Sequence, residues 1–248
     1  MKKNRFIKLA SGLLVLCLMT TCVIGATLAK YTTAKDTQDS ARVAKWGVRI
    51  TAAANSAFKT EYNKKDSSTE LSVQSSTDKV VAPGTSGSAA QFSISGTPEV
   101  AVRLSFLMTE VKEVKLKAGT YTNTDDATVT LGSDYNPIKW TLKKNDTHVE
   151  GADTNVEGAV NLTLAEMATF LSTYHVDYAP NTDLSATVPT YKLYWAWAFD
   201  GNDTADYILG DLAAGVSGIK KGESAIKPVD DYSTEVSYKL TITATQID

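Results

Sequence analysis

The chain has 248 residues, with 25 Lys and Arg against 28 Asp and Glu and a formal net charge of −3. That balance offers no basic surface to a phosphate backbone, so nucleic-acid binding is excluded as a main role. Two cysteines and two histidines leave little material for disulfides, thiolate metal sites or histidine chemistry.

The N-terminus departs from this average. Lys2, Lys3, Arg5 and Lys8 precede an uncharged run from Leu9 to Ala29. The run closes on small residues, Gly25-Ala26-Thr27-Leu28-Ala29. Positive flank, apolar run and small-residue end are the order of a secretory signal peptide. Cleavage is expected between Ala29 and Lys30, with a cut after Ala26 as the second choice. Left uncut, a run of about 21 apolar residues is long enough to span a bilayer, so contact with a membrane is expected only through the uncleaved segment. The segment holds four of the basic residues and none of the acidic ones, so the remainder carries a net charge of −7. Cys17 and Cys22 both lie inside it. The exported part therefore has no disulfide and must be held by its core, which about 200 residues suffice to build as one domain. Leu16 and Thr21 precede the cysteines, against lipidation, and the ending Thr245-Gln246-Ile247-Asp248 argues against covalent wall anchoring.

Residues 30–42 are polar and without period, and read as a flexible arm before a single domain over 43–248. Trp46, Val48 and Ile50 alternate with polar residues and predict a strand over Val43–Ala52. Lys59–Ser68 is charged and reads as a loop. Leu71 and Val73 begin a strand, and Pro83-Gly84 suits a type II turn. Ala90, Phe92 and Ile94 continue the alternation, and Gly96-Thr97-Pro98 turns the chain. Val100 to Met108 predicts the longest strand of the first half. Lys115–Asp134 reads as an extended insertion, Ile138-Trp140-Leu142 as a strand, and Asn145–Gly158 as a loop. Thr163 and Glu166 form a capping-box pattern for a helix from Leu164 to about Tyr174. Tyr191, Leu193, Trp195, Trp197 and Phe199 predict a core strand, with its small-residue back face also covered. Asp203 is expected to cap a second helix ending near Gly215, and Val236 to Ala244 predicts a long final strand. Strands this numerous favour an all-β fold, an antiparallel β-sandwich with one or two short helices.

Chemistry is scarce. No HExxH, GxSxG or P-loop is present, and no enzyme activity is expected. His148 falls in a loop and His175 at a helix end, where each reads as a surface residue. Asp200, Asn202 and Asp206 place oxygen ligands at the alternate positions of a calcium loop. Ala205 stands where such a loop wants glycine, and the competing reading is a strand-to-helix turn. No other cofactor is expected. Trp195 and Trp197 could pass for a sugar platform, but burial is the expectation.

The join Ala26-Thr27-Leu28-Ala29-Lys30-Tyr31-Thr32-Thr33 and the stretch Asp39 to Val48 resemble the N-terminus of TasA/camelysin-type proteins of Gram-positive bacteria, which carry a SipW-dependent signal peptide. The turn Ala82-Pro83-Gly84-Thr85-Ser86-Gly87 is similar to the first core hairpin of that family, and Trp195–Leu209 and Leu240–Asp248 look like parts of its uncharacterised clostridial members. The resemblance implies a jelly-roll-like sandwich, export after cleavage by an ER-type signal peptidase, and a place at the cell surface or in a biofilm matrix. It also implies self-association into fibres by donor-strand exchange through the N-terminal arm, with other matrix proteins as further partners. Two rival expectations stand beside it: a monomeric surface module binding a glycan or protein, and a camelysin-type metallopeptidase, for which this chain carries no ligand set.

Overall fold

The computed structural model describes residues 8–18, 41–53, 57–66, 69–145, 153–187 and 190–247. The cleavage site at Ala29 and Lys30, the arm up to residue 40 and His148 lie outside them. The chain divides into two units, Met1–Val43 and Ala44–Asp248. In the first, residues 8–18 form helix α1, with exposed side chains. No described helix is long and apolar enough to cross a membrane.

The second unit is mostly β, in several antiparallel sheets. Its largest sheet has the order β1-β4-β12-β9-β10. These strands are β1 (Arg49–Ala53), β4 (Ser86–Ser95), β12 (Thr190–Trp197), β9 (Ile138–Asn145) and β10 (Asp153–Asn155). A three-stranded sheet runs β11 (His175–Tyr178), β5 (Ala101–Lys112) and β16 (Ser237–Ile247). A four-stranded sheet joins β14 (Ser224–Ala225), β13 (Lys220–Lys221), β7 (Gly119–Thr122) and β8 (Thr128–Leu131). Two pairs complete the set: β15 (Tyr232–Ser233) with β6 (Lys115–Leu116), and β2 (Glu61–Asp66) with β3 (Thr69–Gln74). The helices are α2 (Leu164–Thr173), α3 (Leu184–Thr187) and α4 (Asp203–Ala213).

β12 organises the core because its alternate residues Tyr191, Leu193, Trp195 and Trp197 are all buried. Trp195 lies directly opposite Trp140 on β9, and Leu193 opposite Leu142. On β4 the facing residue is Gly87, where a Cβ would come within 2.9 Å of the Trp195 indole nitrogen. Glycine in a strand here marks the close approach of a large ring. The Trp195 N–H donates to the Ala57 carbonyl at 2.8 Å, and the ring meets Tyr62 edge-on at 6.0 Å. Truncating a buried aromatic of this kind to alanine typically costs about 3–5 kcal/mol. The back face of β12 is less covered than the sequence suggests: Lys192 and Tyr194 are half-buried and Ala196 is exposed. Phe199 lies beyond the strand and is exposed. Both tryptophans point inward, so neither forms a sugar platform.

The register of β4 against β12 skips Ala89, which bulges out of the ladder and is buried. Its carbonyl accepts from the Tyr238 hydroxyl of β16 at 3.3 Å. Phe106 of β5 meets Tyr191 edge-on at 5.1 Å, and Trp140 meets Tyr238 at 5.4 Å. Rings therefore link the three-stranded sheet to the five-stranded one at two points. Leu104 and Phe106 on β5 are buried as their period predicts.

Several expectations are corrected. β1 begins only at Arg49, and Trp46 is exposed before it. The expected loop after Lys59 contains β2, held by Tyr62, which is buried against Trp195. Its charged sequence hides a strand that a single aromatic anchors, because strand formation depends on what a face packs against. The expected insertion 115–134 holds β6, β7 and β8, with Leu116, Tyr121 and Leu131 buried. The Tyr121 hydroxyl donates to the carbonyls of Lys117 and Asp231, which accounts for the polar end of its ring. The expected loop 145–158 contains the short β10.

The type II turn is present: the Thr85 N–H donates to the Ala82 carbonyl at 3.0 Å, and Gly84 has φ +84°. Gly96 has φ +116°, and a Cβ there would run into the Gly47 carbonyl oxygen. Gly96→Ala is expected to cost more than about 2 kcal/mol in urea unfolding, since strain and a backbone clash add.

The capping box of α2 forms in full, Glu166 N–H to Thr163 Oγ1 at 3.2 Å and Thr163 N–H to Glu166 Oε2 at 2.8 Å. Thr163→Ala is expected to destabilise by about 1 kcal/mol in the same assay. Accepting from the Thr163 backbone holds the Glu166 carboxyl below its usual range. A depressed carboxyl stabilises the fold above its unfolded pKa and loses that contribution as pH falls through the folded one. Glu166→Gln should therefore flatten the acid side of the stability curve, read by urea midpoints across pH.

Candidate functional site

Sheet edges are where a β-rich protein meets partners, because unpaired N–H and C=O groups there can add a strand. Among the described residues β16 pairs with β5 alone, so its other side is an edge. It is 11 residues long. The other terminal strands have six residues or fewer, down to two in β14.

Proteins blunt such edges with charge, proline, bulges or shortness. β16 has a register shift between Ser237 and Lys239, and Lys239 lies 3.6 Å from Glu110. Beyond that point the strand reads Leu240-Thr241-Ile242-Thr243-Ala244-Thr245-Gln246-Ile247, without charge, proline or glycine. Such a stretch is rich in β-formers and is a ready template for strand pairing. Thr241, Thr243 and Thr245 are exposed on one face. Leu240, Ile242 and Ala244 pack on the core from the other, yet are only half-buried. Their partners across the ladder, Met108, Phe106 and Leu104, are buried. Burial thus falls from complete to partial in one strand step, as on a sheet whose next strand is wanting.

β11, the opposite edge, is short and closed by a cross-strand ion pair. Arg103 donates to both carboxylate oxygens of Asp177 at 2.7 Å, which holds the Asp177 carboxyl below its usual range. His175 opens β11 with an exposed side chain, its Nδ1 3.1 Å from the Thr173 carbonyl oxygen.

The loop before α4 gathers the sequence-derived calcium candidates differently from their spacing. Asp200 is exposed. Asn202, rather than Asp203, caps α4, its Oδ1 accepting from the Ala205 N–H at 3.1 Å. Asp203 opens the helix itself. Asp206 turns inward and is only 9% exposed. Its Oδ1 accepts from the Tyr135 hydroxyl at 2.7 Å and the Trp197 indole N–H at 3.3 Å. Its Oδ2 is buried without a hydrogen-bond partner among the described residues. Burial pushes the Asp206 carboxyl above its usual range, against the two donors on Oδ1. The helix dipole supplies about 0.3–1 kcal/mol toward a negative group there, whereas an unpaired buried charge costs several kcal/mol. Of the three candidates Asp200 is thus exposed, Asn202 is engaged by the helix cap and Asp206 faces inward, and no group of three His, Cys, Asp or Glu poised for a metal occurs among the described residues. Tyr135 escaped sequence reasoning because it pairs with Asp206 across 71 positions. The open edge left one readable signal, the uncharged Thr- and Ile-rich ending.

Compared with protein-family models, curated proteins and solved structures, the chain matches none.

Placing positive charge on the exposed face of β16 is expected to discourage strand addition while leaving the core alone. The double variant Thr243→Lys, Thr245→Lys should unfold within about 1 kcal/mol of the parent. It should also lose any concentration-dependent self-association seen by light scattering.

Proposed function

We propose that this chain is an exported structural protein, the subunit of a cell-surface or biofilm-matrix fibre. In this reading its two ring-linked sheets form a jelly-roll-like sandwich, and a SipW-dependent-type signal segment is removed after Ala29 by an ER-type signal peptidase. Cleavage frees the arm beginning at Lys30. The arm of one copy then adds as a strand to the next copy, and repetition of that step builds a fibre.

The observation that supports the reading best is the open edge of β16, long, free of charge from Leu240 to Ile247 and half-covered on its core side. An incoming strand would pair the free backbone groups and complete the cover of Leu240, Ile242 and Ala244. The resemblance of residues 20–50 and 80–106 to TasA/camelysin-type proteins points the same way. Donor and acceptor lie on different parts of the chain, so one-way, head-to-tail exchange with a rotation that does not close builds an open-ended fibre.

Electron microscopy of protein lacking residues 1–29 tests this directly. Fibres are expected from the parent. Deleting Lys30–Ser40 should leave the melting temperature unchanged and the protein monomeric. Fibres from the deleted form would sink the arm mechanism, and a parent that stays monomeric at every concentration and pH would sink the fibre reading.

A further inference from the structure

Strand addition makes no use of the buried carboxylate of Asp206. Both donors that reach it, Tyr135 and Trp197, are on Oδ1. Oδ2 has no hydrogen-bond partner among the described residues, in a side chain more than nine-tenths buried. The space beside it is defined by Gly201. A Cβ built there would lie 3.3 Å from the Tyr135 hydroxyl, 3.5 Å from Asp206 Oδ2 and 3.9 Å from the Ala198 carbonyl oxygen. Three oxygens therefore lie around the position that a side chain at residue 201 would take.

The surroundings favour a positive occupant. Residues 198–206 contain Asp200, Asp203 and Asp206 and no Lys or Arg. The oxygen to be neutralised is hard, and the other bordering groups are neutral oxygens. A soft metal has no thiolate or imidazole here.

We propose that the loop 198–206 binds a hard divalent cation, Ca²⁺ foremost, through Asp206 Oδ2 beside Gly201. The Tyr135 hydroxyl and the Ala198 carbonyl are neutral ligands, and water completes the shell. This site keeps Asp206 from the sequence-derived set. It drops Asn202, whose oxygen is engaged by the helix cap, and leaves Asp200 an outer charge.

Thermal unfolding of the purified protein in chelator and in about 1 mM CaCl₂, the range of extracellular calcium modules, provides the test. Binding to the folded state alone raises the melting temperature, and a rise of several degrees is expected. Terbium is a second probe: Tyr135 and Trp197 stand beside the site and should sensitise its emission, with Ca²⁺ competing. Asp206→Asn and Gly201→Ala should each weaken binding at least tenfold, the first by removing the charge and the second by filling the space. If Asp206→Asn does not fold, Gly201→Ala decides alone. A parent with no calcium-dependent shift and no sensitised terbium emission overturns the proposal. So does binding that survives Gly201→Ala unchanged.

Discussion

Two indole N–H groups set the terms on which this molecule folds. β12 carries Trp195 and Trp197 into the interior, and a buried N–H must find an acceptor or cost a desolvation penalty of about 1–3 kcal/mol. Trp195 takes the Ala57 carbonyl, which ties the segment before β2 to the middle of the large sheet. The same ring leaves no space for a side chain at position 87 of the neighbouring strand. Trp197 takes the carboxylate of Asp206, which draws the first turn of α4 and Tyr135 toward the end of β12. One strand thus determines the position of a hairpin, a glycine and a helix. The second bond has a cost: it brings a carboxyl group into the core and satisfies only one of its two oxygens.

The three-stranded sheet follows a different constraint. β5 sits at its centre and is buried along one face, while β16 at its margin has its core face half-covered. Tyr238 holds β16 against the five-stranded sheet through its ring and through the carbonyl freed by the Ala89 bulge. The strand is thus fixed in place and in register while its outer backbone groups remain unpaired by described strands. A long edge held in place is a better acceptor than a mobile one, because less ordering entropy is lost when a strand joins it.

Much of this was legible in the sequence where the signal is local. Period-two alternation located β5, β9, β12 and β16, and the Thr163–Glu166 pair located the start of α2. Reading failed where a distant contact outweighs composition. β2 is a charged segment made a strand by Tyr62 against Trp195, and the Thr- and Asp-rich stretch around Tyr121 is ordered by a hydroxyl that reaches Asp231. Asn202 prevailed over Asp203 as the cap because the chain enters α4 one residue earlier than the acidic pattern suggested. The edge status of β16 is a property of the whole topology, since no strand's own residues state which neighbours it lacks. The same holds for Asp206, whose carboxylate partners Tyr135 and Trp197 both come from outside α4.

The placement of the four tryptophans has a spectroscopic consequence. Trp140, Trp195 and Trp197 are buried and the first two face each other across a ladder, whereas Trp46 is partly open to solvent. Intrinsic fluorescence therefore mixes a blue-shifted interior signal with a red-shifted surface one. Collisional quenchers would reach Trp46 first, and the three buried indoles, Trp140 and Trp195 held among other rings, would dominate the near-ultraviolet circular dichroism. The protein carries its own reporters, one for the integrity of the core and one for what happens at its surface near the N-terminal boundary.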